Sequence, residues 1–475
     1  MLGQAPMKNS LLLLLMSVCF FGKSQSYSSN RISLVSFVNP QTTGGIGTDQ
    51  RKYSGCWGWY QTSTNKEYAI VGSSTGTYFL DISNPGFPNQ CDYVPGKSGC
   101  TWREIKSYQN YCYVVSDDAS PNRFQIIDMQ YLPDSVHVVH DGTTYFERGH
   151  TIWIDKDKMY IGSETKLGGS HESMTIYSLA TPSNPAFLRS LKTDFPSISY
   201  AHDMYVNNDT VFASCGNQGL YIFKYNSVGN TFTQLGSYIN YSSGSAYNHA
   251  SALTADKKTL VFCDEVPNFL PIRIVDVQNL ANIIPQSTVI PYPNSTPHNP
   301  YVIGSRWAII SCYEDGLNIY DITNPASPVF AGFFDTHPQG GFSASSYNGY
   351  RGNWGAYPFF PSGLILAVDM QNGVFLLDAS QTFNQPIGFT ENAAMETNFQ
   401  IYPSPACGHI NIMSAKNVDA TVKISNVLGE IVLTDDLTIF GKQKINVAQL
   451  PNGAYIVNLK TKNGSLTKKI IINNN

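Results

Sequence analysis

The chain has 475 residues, too long for one ordinary core, which points to two or three domains or to a repetitive body with a smaller module attached. Charged residues make up only 13% and aromatics 13%, and 38 Gly with 26 Pro suit short strands joined by tight turns, so intrinsic disorder is excluded. Thirty Lys and Arg stand against 34 Asp and Glu, a net charge of −4 with no long basic run, which excludes a nucleic-acid binder.

Residues 7–26 read MKNSLLLLLMSVCFFGKSQS. Lys8 supplies a basic start, Leu11 to Phe21 an apolar run, and Ser24 to Ser26 a small, polar cleavage zone, so residues 1–26 are expected to be a secretory signal peptide. That apolar run falls short of the roughly 20 residues a bilayer requires. No later stretch is long and apolar enough to anchor the chain, and no transmembrane segment is expected.

From Trp57 onward the body repeats. Each unit opens on a Trp or His, runs through a strand, a polar turn and an apolar return strand, and adds a third strand that often ends in Asp. Seven units are found between CWGWYQTSTNKEYAIVGSSTGTYFLDISNP and NWGAYPFFPSGLILAVDMQNGVFLLD. Trp102, His150, His202, His249, His298 and Trp354 lie 48, 52, 47, 49 and 56 residues apart, the length of a four-stranded blade. The seventh unit lacks a fourth strand, whereas RISLVSFVNP (31–40) looks like the fourth strand PVFAGFFDTH (328–337) of the unit before it. The two ends are therefore expected to close one ring, giving a seven-bladed β-propeller over residues 27–380.

Ile274-Val275-Asp276, Trp102-Arg103-Glu104, Asp315-Gly316-Leu317 and WGAYPFFPSG (354–363) resemble the choice-of-anchor B family, whose repeats are of the LVIVD type. The resemblance implies an extracellular propeller with a variable surface-attachment tail. It implies no particular reaction.

Antiparallel pairing sets the residue that opens each first strand beside the residue that closes the second. This places Trp102 opposite Asp117, His150 opposite Ser163 and next to Glu164, His249 opposite Cys263 and just before Asp264-Glu265, and His298 opposite Cys312 near Glu314. Trp354 falls next to Asp369 and His202 faces Cys215-Gly216. Because first strands are innermost, His150, His202, His249, His298, Trp102 and Trp354 should gather at one mouth of the central channel.

Imidazoles beside Glu164, Glu265 and Glu314 are the ingredients of a divalent metal site, with nitrogen suiting Zn²⁺ and oxygen suiting Ca²⁺. The competing reading is scaffold, each His tying its blade to the next, and recurrence once per repeat favours it. Catalysis by Asp117-Asp118, Asp264-Glu265 or His202-Asp203 is disfavoured because neighbouring strand residues diverge, and neither G-x-S-x-G nor H-E-x-x-H occurs. Trp57, Trp59, Trp102, Trp354 and Tyr357 form either a stacking platform for sugar or peptide or plain blade packing. Cys215, Cys263 and Cys312 share one repeat position and are expected to be buried; a disulfide within Cys56, Cys91, Cys100 and Cys112 is open.

Residues 381–397 read as a linker, and 398–475 as a small antiparallel sandwich of strands separated by Pro, Asn-Gly and Gly turns. Tyr402-Pro403-x-Pro405, Leu428-Gly429-Glu430, Leu450-Pro451-Asn452-Gly453-x-Tyr455 and Lys468-Lys469-Ile470 resemble the type A C-terminal sorting domain of the type IX secretion system, with Ser404 in place of the usual Asn. That resemblance implies the secretion machinery as partner, and a secreted or cell-surface location. Without both ends, residues 27–397 hold 20 basic and 30 acidic residues, a net −10. The function expected is an exported module that binds an extracellular protein or glycan; the alternative is a metal-dependent hydrolase or lyase acting on an extracellular polymer.

Overall fold

Alternate residues of a strand point to opposite sides of its sheet, and in this protein both sides are buried. In the strand Lys66–Ser73, Tyr68 and Ile70 enter one hydrophobic cluster while Ala69 and Val71 enter another. The same division holds in Thr259–Asp264, where Leu260 and Phe262 face one neighbouring sheet and Val261 and Cys263 the other. Strands of near-continuous apolar character follow from this arrangement, and so does a ring of sheets packed face to face.

The computed structural model describes residues 26–118, 121–239, 241, 246–293, 295–339, 350–385, 399–426, 430–461 and 464–474. Residues 1–25 of the expected signal peptide, most of the expected linker, and Leu428 and Gly429 of the sorting motif lie outside them. Seven antiparallel sheets follow one another as blades, six of four strands and the sixth of five, with innermost strands Tyr53–Gln61, Glu104–Tyr108, Thr151–Asp155, Asp203–Asn207, Asn248–Leu253, Pro300–Ile303 and Asn353–Tyr357. A hydrophobic cluster fills each gap between adjacent blades, including the gap between the seventh and the first.

The ring closes as the sequence indicates. Ser33–Val38 is the outer strand of the seventh blade, with Leu34 opposite Leu377 and Phe37 opposite Phe375. Just before it, Ser29–Asn30 pairs with the outer strand Val329–Phe334 of the sixth blade, so the N-terminal segment bridges two blades. The short helix Ser380–Phe383 locks this junction: Thr382 Oγ1 donates to the Arg31 carbonyl at 2.9 Å, and Phe383 lies against Trp307.

The Asp that ends so many third strands has a local purpose. Asp81, Asp128, Asp276, Asp321 and Asp378 each accept the backbone N–H two residues on, at 2.8–2.9 Å. These are Asx turns that start the loop to the outer strand or, at Asp378, the turn into the short helix Ser380–Phe383, which accounts for the acid of the Ile-Val-Asp repeat without a ligand.

The tail is one antiparallel sheet rather than two separate ones. Its long strand His409–Asn426 pairs with Ile431–Asn446 along its length, and a register break between Ser414 and Val418 divides it. Its first part pairs with Phe399–Tyr402 and its second with Gly453–Thr461, yet Ile410, Ile412, Val422 and Ile424 all enter one core, so the sheet wraps itself in the manner of a sandwich. Tyr455 OH donates to the Pro451 carbonyl at 2.8 Å and Lys468 Nζ to the Ile401 carbonyl at 2.9 Å, structural roles for two of the tail's motif residues.

Cys215, Cys263 and Cys312 are buried between blades, as their shared position indicates. Cys56, Cys91, Cys100 and Cys112 are free thiols and form no bridge.

Candidate functional site

The residue opening each blade precedes the regular ladder or is squeezed out of it, and its side chain is released into the channel. His202 donates its backbone N–H to the Ser214 carbonyl one residue before its strand begins. His249 and Trp354 sit at register breaks, between Asn248 and Ala250 and between Asn353 and Gly355. This break moves Ala250, rather than His249, opposite Cys263. Freed from the pleat, the rings form an arc: centroids of His150, His202, His249, His298 and Trp354 follow at 4.2–4.3 Å, and Trp354 stacks on Trp102 at 4.7 Å and 17°. The first blade has Gly55 at this position, where a Cβ would meet the Arg103 carbonyl at 2.3 Å and Glu104 Oε1 at 2.9 Å.

A repeated hydrogen bond orients the imidazoles. Nδ1 of His202 bonds to the His249 carbonyl at 3.2 Å, Nδ1 of His249 to that of His298 at 3.1 Å, and Nδ1 of His298 to that of Trp354 at 2.6 Å. A carbonyl only accepts, so each Nδ1 carries the proton and each Nε2 presents a lone pair. His150 differs: its Nδ1 lies 2.6 Å from Asp117 Oδ2 and its Nε2 2.7 Å from His202 Nε2. That N–N contact requires one proton, and with the His202 lone pair as acceptor His150 is the donor. Burial opposes a charge on His150, but the Asp117 carboxylate outweighs it and holds its pKa above the usual value. Burial, then the positive charge of His150, pushes His249 down to about 3; burial, with His249 adding, pushes His298 down to about 3, and burial also takes His202 well below its usual value.

Glu265 is the carboxylate that reaches the arc. It lies one residue beyond the strand Thr259–Asp264, where alternation no longer governs, with Oε2 3.7 Å from His249 Nε2 and Oε1 3.9 Å from His298 Nε2. Tyr313 OH donates to Oε1 at 2.6 Å. Its neighbour Asp264 turns into the blade to meet Arg273 and Tyr241, so the Asp264-Glu265 pair is split. Asp117 and Asp118 also separate, the first to His150 and the second to the backbone N–H groups of Thr101 and Trp102.

Two candidate ligands lie elsewhere. Glu164 stays in the ladder opposite Glu172, accepting from Thr175 Oγ1 at 2.5 Å and Tyr177 OH at 2.9 Å inside the third blade. Glu314 is held by Arg351 at 2.9 Å, away from the channel lining. Burial pushes Glu164 up to about 7 from 4.5, so its contribution to stability is fully present below about pH 4.5 and lost as pH rises through about 7. The Glu164→Gln variant should match wild type in urea unfolding at pH 4.5 and exceed it by roughly 2–3 kcal/mol at pH 8. Equal stabilities at pH 8 would mean that the carboxylate is not buried as a charge.

Beneath the arc, a central cavity of about 40 Å³ adds side chains that the strand geometry did not single out: Glu104, Lys106, Asp203 and Trp153. Glu104 accepts from Trp354 Nε1 at 3.1 Å. Lys106 Nζ lies 4.2 Å from the Trp57 ring. Burial pushes Asp203 up to about 7, with Lys106 opposing the shift. His202 and Asp203 both line the cavity, contrary to the divergence expected of neighbours, because His202 stands before the strand. Above the arc opens a vestibule of about 480 Å³ lined by Asp49, Arg51, Trp102, Glu265, Tyr313 and Tyr350; it shares Trp102 with the cavity.

Residues 400–473 match the secretion system C-terminal sorting domain, and residues 307–336 match the LVIVD repeat. The chain is a secreted or cell-surface β-propeller protein with a C-terminal sorting domain. The tail implies interaction with the type IX secretion machinery, and among the described residues no helix is long and apolar enough to cross a membrane. The LVIVD match lies on the second to fourth strands of the sixth blade. No curated protein matches the chain. Among solved structures, periplasmic gluconolactonase PpgL of Pseudomonas aeruginosa is similar at 12% identity and a TM-score of 0.45, over 60% of this chain and 88% of that one.

Proposed function

We propose that this exported propeller binds a saccharide unit of an extracellular glycan in the vestibule at the channel mouth. The observation that carries the reading is the lining itself: the half-buried aromatic rings of Trp102 and Tyr350 beside the charged groups of Asp49, Arg51 and Glu265, with buried Tyr313 holding Glu265, around a volume of about 480 Å³. Rings offer apolar faces to sugar C–H groups, charged side chains take the hydroxyls, and the volume is typical of a small-molecule site. The acidic body, net −10 over residues 27–397, favours a neutral or cationic ligand over a polyanion.

Titration calorimetry of the full chain against neutral oligosaccharides tests this. Wild type should bind, and Trp102→Ala should weaken binding by about tenfold or more, the value of one lost aromatic contact. An absence of binding across neutral and cationic saccharides would sink the proposal. Release of new reducing ends during the titration would instead favour the hydrolase reading, for which the imidazole arc and Glu265 supply the groups.

A further inference from the structure

We propose that His202, His249 and Glu265 hold one divalent first-row transition-metal ion of the zinc class, with His298 on its fourth side. The proposal deepens the binding reading above by naming what stands at the floor of the vestibule.

Its basis is an electrostatic mismatch that a cation resolves. One ligand atom each from His202, His249 and Glu265 lie within 4.8 Å of one another. The His249 and His298 protons are committed to backbone carbonyls through Nδ1, so both Nε2 atoms turn lone pairs toward the Glu265 carboxylate, at 3.7 and 3.9 Å. Lone pair faces lone pair with no donor between them. The side chain of His298 is 1% exposed, and its Nε2 has no hydrogen-bond partner. A buried acceptor left so is costly, and a metal ion placed there satisfies the facing His249, His298 and Glu265 groups together.

The surroundings fit such an ion. A metal-binding imidazole usually donates its other N–H to a carbonyl or carboxylate, which fixes the ring and its tautomer, and three successive blades repeat that arrangement. Nitrogen donors in the majority select zinc-class ions over Ca²⁺, which takes six to eight oxygens, and this separates the two metals that the sequence leaves open. At His202 the ion takes the place of the proton donated by His150, whose bond to Asp117 positions that ring beside the site. Glu265 also lines the vestibule, so its carboxylate joins the closed metal site to the vestibule wall.

The test uses the full chain, stripped with a chelator and titrated with Zn²⁺ and separately with Co²⁺. One equivalent of either metal should bind, Co²⁺ with the intense visible bands of tetrahedral coordination. Binding should weaken by at least about 100-fold in His249→Ala and in Glu265→Gln, and stay unchanged in His137→Ala, which alters an exposed imidazole on an outer strand. No uptake, or pale octahedral Co²⁺ lost equally from every variant, would overturn the site. Should His249→Ala fail to fold, the wild-type stoichiometry and spectrum decide by themselves. Saccharide titration of stripped and loaded protein separates the two proposals: binding without metal uptake sinks the metal site alone, and metal uptake without saccharide binding sinks the glycan alone.

Discussion

Deletion of residues 27–40 is expected to unfold the propeller rather than trim it. The loss removes the outer strand of the seventh blade and the two residues paired with the sixth. It also withdraws Ile32, Val35 and Val38 from the clusters on either side of that blade, and Asn39, whose Oδ1 accepts from the buried Tyr53 OH at 2.7 Å. Each large aliphatic side chain contributes about 1.5–3 kcal/mol through burial, so these together approach the 5–15 kcal/mol that holds a typical domain folded. The strand Gly373–Asp378 would become an open edge, a template for pairing with other chains. Circular dichroism melting and size-exclusion chromatography of the truncated chain should show a lost or early transition and soluble aggregate. A cooperative melt within a few degrees of the full chain would mean that the ring does not depend on this closure.

Asp264→Ala should be strongly destabilising. Asp264 is fully buried, 2.6 Å from Arg273 Nε and accepting from Tyr241 OH at 2.7 Å, with the guanidinium 4.7 Å from the Tyr241 ring centroid. Alanine leaves the Arg273 charge and the Tyr241 hydroxyl without their acceptor, and breaking such a pair from one side costs about 3–5 kcal/mol. In urea unfolding the midpoint should fall with little change in slope. Combining the change with Arg273→Met should restore much of the loss, because the stranded charge is then gone. A single variant within about 0.5 kcal/mol of wild type would mean that water reaches Arg273.

Asp264 and Glu265 part as neighbours are expected to, one into the blade and one to the channel, but they part at the end of a strand rather than by alternation along it. Which of the two reaches the channel depends on the strand ending after Asp264, and nothing in the local residues marks that end. Glu164 illustrates the converse: its strand runs on to Thr165, so the carboxylate is kept in the ladder and turned onto Thr175 and Tyr177. Glu104 was legible only as part of an opening motif, because its function as acceptor for Trp354 joins positions 250 residues apart.

By itself the sequence determined the number of blades, the strand that closes the ring, the sorting tail and the gathering of four His and two Trp at the channel. These follow from pairing between strands close in the chain, where period and turn chemistry suffice, and from the antiparallel rule that aligns the ends of a hairpin. Only the tertiary structure decided which carboxylate faces the imidazoles, which ring nitrogen carries the proton, and that a vestibule lies above them. Those depend on contacts between blades, on register breaks at His249 and Trp354, and on carbonyls offered by the neighbouring blade. A one-residue shift turns a side chain to the other face of a sheet, and composition and spacing do not record where such shifts fall.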